Sequence, residues 1–301
     1  MMEWKGKTAL ITGGVSGIGF GIARAFSAAG IDLILTYRNE DYRAQAEEWF
    51  KRHARAIPRF VSLDVTDRNR WAAVAEQAGP VHILVNNAGV SVFGPTDEAS
   101  FADYDWILGV NLGGVVNGLV TFIPRIKAQG PGGHIVNVAS MAAYLPGPQA
   151  GIYTASKFAV RGLTESLRFN LAPHGISVSL MCPGLTKTNA WDSALRRPAD
   201  FAASGFLPPD PGTLAQFGTA FDAGMDPLEV GEKTLAGMAA NRAVIFTHPE
   251  FAEDFAEIYR DSLAALPDEA APEARLHIER LRREANRAAA AGKVIGLSDL
   301  T

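Results

Sequence analysis

Short apolar runs alternate with longer helical patterns through most of this chain, and no other feature restricts its fold as tightly. Thr8 to Ile11, Ile31 to Thr36, Phe60 to Leu63, Val81 to Val85, His134 to Val138, Ile176 to Met181 and Val244 to Thr247 are each short and largely apolar. Runs of that kind fit strands buried on both faces. Between them lie a helical pattern ending at Phe26, a polar one from Tyr42 to His53, and one around Trp71 to Gln77. A long one follows from Phe101 to Lys127, interrupted by Gly113, Gly114 and Pro124, and another contains Tyr153. Strands joined by helical crossovers run parallel, because a tight hairpin can join only antiparallel neighbours. The expectation is an α/β fold: a doubly wound parallel sheet of seven strands, covered on both faces, in a single domain over residues 1–301.

Two regions break the rhythm. Residues 189–227 are rich in proline and glycine, yet they carry Trp191, Phe201, Phe206, Leu207, Phe217, Phe221 and Met225. An irregular segment this apolar is a candidate lid over a site rather than a solvated loop. The extension at 249–301 contains a stretch rich in Ala, Glu and Arg, 267–293, with a narrow stripe of Ile278, Leu281 and Ala285. That stretch is expected to be helical, on the surface or against a partner subunit.

Charge and cysteine usage narrow the classes of partner. The net charge is −4 without any block of like charge, which argues against nucleic acid or an anionic membrane. His53, His82, His134, His174, His248 and His277 show no close pairing, so no metal site is expected. Cys182 is the single cysteine, which rules out an internal disulfide and fits a reducing compartment; its plain reading is a small buried apolar residue. Met1 to Lys7 lacks a signal-peptide layout, and no run of 18 apolar residues is free of charge. A cytoplasmic protein acting on a small molecule is the expectation.

Three motifs carry chemistry. In Gly151-Ile152-Tyr153-Thr154-Ala155-Ser156-Lys157, Tyr153 and Lys157 stand four residues apart on one helix face. A phenol ordinarily holds its proton until about pH 10, and a nearby ammonium stabilises the phenolate. Taken alone, the pair reads first as a surface Tyr-Lys pair on an ordinary helix. Thr12-Gly13-Gly14-Val15-Ser16-Gly17-Ile18-Gly19 lies between the first strand and first helix, where a dinucleotide-binding loop belongs. There Gly13, Gly17 and Gly19 would let the backbone approach a pyrophosphate at the helix N-terminus. Asn86-Asn87-Ala88-Gly89 follows the fourth strand.

In that order and spacing, these motifs resemble the short-chain dehydrogenase/reductase family over about residues 5 to 188 and, more loosely, 244 to 247. The resemblance implies a Rossmann-type sheet and a nicotinamide cofactor. It implies that Ser140 holds the substrate oxygen and Tyr153 exchanges its proton. Lys157 lowers the tyrosine pKa and binds the nicotinamide ribose, and Asn111 organises a relay water. Ser16 and Ile18 join the loop glycines around the cofactor. Asp64 and Val65 contact adenine, while Asn87, Ala88 and Gly89 form the turn beside the adenosine ribose. Pro183, Gly184 and Thr188 hold the carboxamide.

Tyr37 stands where NAD-preferring relatives place an acid, and Arg38 follows with a fork suited to phosphate. Ser16 occupies a place where many NADP-using relatives have a second basic residue. NADP(H) is therefore expected, with NAD(H) as the alternative. The extension resembles bacterial members that act on bulky aryl alcohols and ketones, including Cα-dehydrogenases of lignin-derived aryl ethers. Val92, Phe93, Tyr144 and Leu145 are the expected further walls of a substrate pocket.

The family resemblance implies a homodimer through helices 101–127 and 153–171, which carry the small residues Gly113, Gly114, Gly118 and Gly162, with a tetramer as the alternative. Two other functions fit the same fold: an idle nucleotide sensor, and an epimerase or dehydratase. The set of Asn111, Ser140, Tyr153 and Lys157 argues against the first. The lack of a long substrate domain argues against the second.

Overall fold

Each of the seven apolar runs forms a strand, and all neighbours pair in parallel. The computed structural model describes residues 4–207, 210–296 and 298. Its elements begin with β1 (Thr8–Ile11), α1 (Gly17–Ala28), β2 (Asp32–Tyr37), α2 (Glu40–His53), β3 (Arg59–Ser62), α3 (Arg68–Ala78) and β4 (Ile83–Asn86). Then come α4 (Phe101–Leu108), α5 (Gly114–Ala128), β5 (His134–Val138), α6 (Gly151–Leu171) and β6 (Ser177–Cys182). The chain continues with α7 (Pro211–Asp222), α8 (Pro227–Ala239), β7 (Val244–Phe246), α9 (Ala252–Ala264) and α10 (Glu273–Ala290). Spatial order in the sheet is β3-β2-β1-β4-β5-β6-β7. The chain thus winds outward from β1 to β3 and then returns to place β4 on the other side of β1. A crevice opens at that switch point, beyond the carboxyl ends of β1 and β4.

The pleat sorts the strand side chains into two cores. Leu10, Ile34, Leu84 and Ile135 stand in register and point to the face covered by α3 to α6. Ile11, Leu35, Val85 and Val136 point to the face covered by α1, α2 and α8. Burial of one large apolar side chain such as Phe122 stabilises the fold by about 1.5–3 kcal/mol. On the second face α1 and α8 touch backbone to backbone. A Cβ added at Gly21 would lie 1.8 Å from the Pro227 carbonyl oxygen, so no larger residue fits there.

The long helix expected from Phe101 to Lys127 is continuous but not uniform. A π turn over Gly109–Gly113 separates α4 from α5, and Pro124 is accommodated within α5. By length and composition Phe101–Ala128 is apolar enough to cross a bilayer. Its Trp106, Ile107, Val115, Leu119, Phe122 and Ile126 are nevertheless packed in the core beneath the sheet.

The candidate lid is more regular than its composition suggests. It contains short 3-10 turns at Asn189–Arg196 and Ala199–Phe201, and then α7, whose N-terminus Asp210 caps. Pro208 and Pro209 lie outside the described residues. Asp103 ties this segment to α4. It is fully buried and accepts hydrogen bonds from Arg197 (2.6 Å), the Ser204 hydroxyl (2.7 Å) and the Gly205 amide (2.9 Å). It also closes a capping box with Ser100. Phe201 and Phe206 pack against the first core, whereas α7 buries no residue of its own.

The C-terminal extension docks by few side chains. Phe255 of α9 packs with Tyr144 and Phe246 at ring-centre distances of 5.1 and 5.2 Å. In α10, Ala285 and Ala289 are buried, and the helix lies against α6 of its own chain. The expected stripe is thus used at its C-terminal end, while Ile278 is 46% exposed. Two of the glycines expected at a subunit interface turn inward instead: a Cβ at Gly114 would meet Val65, and one at Gly118 would meet Asn86. Gly162 faces open space, and Val120 and Phe158 on α5 and α6 are exposed.

Candidate active site

The crevice at the switch point is a cavity of about 790 Å³. Of the residues expected from the sequence to be catalytic or cofactor-binding, all but Gly19 and Asn111 line it: Gly13, Ser16, Gly17, Ile18, Arg38, Asp64, Val65, Asn87, Ala88, Gly89, Ser140, Tyr153, Lys157, Pro183, Gly184 and Thr188. Gly19 stands behind the loop, where a Cβ would fall 2.3 Å from the Gly13 carbonyl oxygen. Close packing of helix against loop leaves no room for a side chain there.

The loop after β1 is built to receive an anion. Gly13 and Gly17 hold φ values of +62° and +50°, which side chains with a Cβ rarely adopt. Ser16 occupies the N-cap of α1, yet its side chain makes no cap hydrogen bond. First-turn N–H groups therefore lack a side-chain acceptor, and the helix dipole favours a phosphate there. Thr12 fixes the neighbouring turn. Its hydroxyl accepts from the Asn87 amide (2.8 Å) and the Ala88 amide (2.9 Å), and Asn87 Nδ2 donates to the Thr12 carbonyl (2.9 Å). Thr12 belongs to the glycine motif, but its role in holding the second turn emerges only once β1 and β4 are seen side by side.

At the end of the cavity beside β2 and β3, Arg38 does not stand free. Its guanidinium donates to Asp64 Oδ2 at 3.2 Å, and both side chains are about two-fifths exposed, 43% and 41%. Burial alone would raise the Asp64 carboxyl, but hydrogen bonds from Thr66 and the charge of Arg38 bring it below its ordinary value. Tyr42 and Arg196 also line this end, and both Arg196 and Asn189 hydrogen-bond the Tyr42 hydroxyl. Those contacts bridge the lid to α2 and were not foreseen from the sequence.

At the other end, α6 brings Tyr153 and Lys157 to the cavity wall, and the end of β5 brings Ser140. Lys157 is buried, and its ammonium donates to the Val138 carbonyl at 3.2 Å. Burial, partly opposed by Cys182, lowers its pKa to about 8. Burial also raises the Tyr153 phenol above its ordinary value, with a hydrogen bond from Ser140 pulling the other way. The Lys157 ammonium, whose charge the family resemblance implies would lower Tyr153, lies 5.5 Å from the ring centre. Cys182 beneath them is a buried thiol raised to about 12 by burial, as its plain reading requires.

Asn111 sits in the π turn, a distortion frequent at functional sites. Its Oδ1 accepts from the Val90 amide (2.8 Å), and its Nδ2 donates to the Val90 carbonyl (3.0 Å) and the Ser156 hydroxyl (3.2 Å). It supports the wall from behind. A Cβ on Gly89 would lie 3.2 Å from Asn111 Oδ1 and 3.7 Å from Lys157 Nζ, so the backbone of this turn runs close beside both groups.

Beside Tyr153 the cavity turns apolar. Phe93, Leu145, Phe221 and Phe251 line it, and the Phe93 ring lies 6.4 Å from Tyr153 and 6.0 Å from Phe217. Leu145 and Phe93 are walls as expected, but Val92 is buried in the core and Tyr144 packs under Arg161 and against the C-terminal extension. Phe251 went unforeseen because the extension supplies it.

A nicotinamide dinucleotide fits this arrangement. The cavity has the volume, the uncapped N-terminus of α1 suits a pyrophosphate, and Lys157 is a buried cation at the opposite end. Ser140, Tyr153 and Lys157 can together bind an oxygen and move a proton to or from it.

The family model for the short chain dehydrogenase matches residues 7–198. A C alpha-dehydrogenase of Sphingobium sp. (strain NBRC 103272 / SYK-6) is 35% identical over 293 residues, covering 93% of this chain and 94% of that protein. A short chain dehydrogenase/reductase from Burkholderia phymatum, solved in complex with NAD, is 34% identical with a TM-score of 0.81, covering 90% of this chain and 100% of that one. A short-chain dehydrogenase from Sphingobium yanoikuyae in complex with NADPH is 25% identical with a TM-score of 0.67, covering 89% and 98%. With the family model over residues 7–198 and a relative 35% identical across 93% of the chain, this protein belongs to the short-chain dehydrogenase family of oxidoreductases.

Proposed function

We propose that the protein is an alcohol dehydrogenase or ketone reductase that uses NADP(H), acts in the cytoplasm on bulky, aromatic secondary alcohols or ketones, and assembles as a homodimer. The observation that carries this reading is the meeting of Ser140, Tyr153 and Lys157 on the wall of the cavity that the glycine loop also lines. When bound, the nicotinamide supplies or takes up the hydride at the carbinol carbon. The Ser140 hydroxyl orients the substrate oxygen, and Tyr153 gives that oxygen its proton during reduction or removes it during oxidation. Lys157 favours the phenolate by its charge and holds the cofactor ribose. Gly13, Ser16, Gly17 and Ile18 receive the pyrophosphate, while Asp64, Val65, Asn87, Ala88 and Gly89 surround the adenosine. Phe93, Leu145, Phe221 and Phe251 exclude water from the reacting carbon and offer flat apolar surfaces to an aryl group.

An NAD(H)-dependent version is the second reading, and one observation favours it: Asp64 already engages Arg38, the group expected to hold a 2′-phosphate. The reading is tested by following turnover at the nicotinamide absorbance with a panel of aryl and small aliphatic ketones and alcohols. Tyr153→Phe should keep the fold and lose roughly 10²- to 10⁴-fold in turnover, the usual range for a general acid-base group. Near wild-type turnover in a folded Tyr153→Phe enzyme refutes the proton assignment, and higher kcat/KM for small aliphatic ketones than for aryl ketones refutes the substrate class.

A further inference from the structure

The loop after β6 faces the cavity with Pro183, Gly184, Leu185, Thr186 and Thr188, but most of what fixes it lies behind it. On one side the Met141 amide donates to the Pro183 carbonyl at 2.9 Å. On the other stands His248, two residues past β7 and buried. The Gly184 amide donates to its Nδ1 at 2.9 Å, and its Nε2 lies 2.8 Å from the Leu185 carbonyl oxygen. An amide N–H can only donate and a carbonyl can only accept. The two contacts therefore fix the neutral tautomer with its proton on Nε2 and its lone pair on Nδ1. The Thr247 hydroxyl sits 2.7 Å from Nδ1, and the Thr247 carbonyl is in turn held by Lys233 Nζ at 2.8 Å. The fit is close as well as polar. A Cβ on Gly184 would come within 2.8 Å of both the His248 and Phe251 rings.

We infer that His248 is a positioning residue for the nicotinamide half of the cofactor. It grips the backbone of two consecutive residues, the N–H of Gly184 and the C=O of Leu185, and so sets where the Pro183–Thr188 loop presents its backbone to the carboxamide. The inference rests on the reading of that loop as the nicotinamide cradle. It assigns the C-terminal segment, 64 residues along the chain from Gly184, a part in aligning the ring for transfer. A buried histidine that merely satisfied the core would support every part of the fold equally. One that sets this loop affects the nicotinamide end and spares the adenosine end, which is held by other residues.

The test compares ligands that differ only at that end. Wild type, His248→Phe and His248→Asn are titrated calorimetrically with NADPH, NADH, ADP-ribose and 2′-phospho-ADP-ribose. His248→Phe should weaken the better-bound dinucleotide by about tenfold, as expected for lost buried hydrogen bonds, and leave the matching ADP-ribose within about twofold. His248→Asn, whose amide oxygen can accept from Gly184, should recover most of the loss. Should His248→Phe fail to fold, His248→Leu makes the same comparison, since its side chain has no acceptor for Gly184. Equal losses for both ligand types, or an undiminished preference for the dinucleotide, overturn the inference. Wild type that binds ADP-ribose as tightly as the dinucleotide instead overturns the cradle reading, and wild type that binds neither overturns the cofactor reading itself.

Discussion

Arg197→Met removes the cation from a buried carboxylate while filling much of the same space. Asp103 is fully buried, and the Arg197 side chain is 11% exposed, 2.6 Å from Asp103 Oδ1 and 4.6 Å from the centre of the Trp106 ring. Breaking one partner of such a pair costs about 3–5 kcal/mol. The Ser100 amide and hydroxyl, the Ser204 hydroxyl and the Gly205 amide all remain on the carboxylate. That remaining coordination places the expected loss near the lower end, about 3 kcal/mol. For a chain of this size the loss corresponds to a fall in Tm of roughly 6 °C, at about 2 °C per kcal/mol. The sign with pH follows from Asp103 itself. Burial would raise its carboxyl, but hydrogen bonds from Ser100, Ser204 and Gly205 outweigh burial and hold it well below the usual range. Stabilisation from a depressed carboxyl is complete above its unfolded value of about 3.9 and is lost as the pH falls below that. Because those donors remain in the variant, the Asp103 contribution should persist in both proteins down to about pH 4, and the gap in Tm should hold from neutral pH to that point. Circular dichroism melts across that range measure it. A variant that melts within about 1 °C of wild type at neutral pH refutes the argument, since that is the shift expected of an ordinary surface residue.

Two other outcomes follow from the crevice and the outer helices. Arg38→Ala should weaken NADPH about tenfold more than NADH in parallel titrations, the scale of one charge-assisted hydrogen bond, and equal losses would leave Arg38 without a role in discrimination. Light scattering at micromolar concentration should report a dimer that Phe158→Glu disperses, because Val120 and Phe158 leave apolar surface uncovered on α5 and α6; a monomeric wild type ends the assembly proposal.

Much of the fold was legible because the sheet is buried on both faces and its strands are almost wholly apolar. The expected strand Ile31 to Thr36 is observed as Asp32–Tyr37. The shift arises because Asp32 pairs with Thr8 and Tyr37 with Ser62 through backbone groups, whatever the polarity of their side chains. The π turn at Gly109–Gly113 showed only as an interruption at Gly113 and Gly114, since one extra residue in a helical turn barely disturbs an apolar pattern this dense. The helix α7 did leave a signal. Asp210 followed by Pro211 is an N-cap with proline at the first helical position, and it went unread amid the surrounding prolines and glycines. By contrast α9 has no buried residue, so no stripe marked it.

The site divides along the same line. Gly13, Gly17, Tyr153 and Lys157 were legible because their geometry is local: a positive φ demands glycine, and four residues make one helical turn. Asp103 with Arg197 and Gly184 with His248 lie 94 and 64 residues apart, and no periodicity links them. Arg38 is the instructive case, because its neighbour Asp64 was noted for adenine and not for charge. Adjacent pairing of β2 and β3 sets the carboxylate opposite the guanidinium. Thr66 holds Asp64 Oδ1 by its amide and its hydroxyl, which leaves Oδ2 to Arg38. The pair is two-fifths exposed, and such pairs are worth about 0–1 kcal/mol. A charge-assisted bond to a phosphate is worth about 1.5–3 kcal/mol, so Arg38 can exchange one acceptor for the other with a net gain. On that balance Asp64 lessens the preference for a 2′-phosphate without reversing it. A cofactor without the phosphate leaves the Arg38–Asp64 pair intact, and the site should therefore bind both forms with a bias set by the difference between these two small energies.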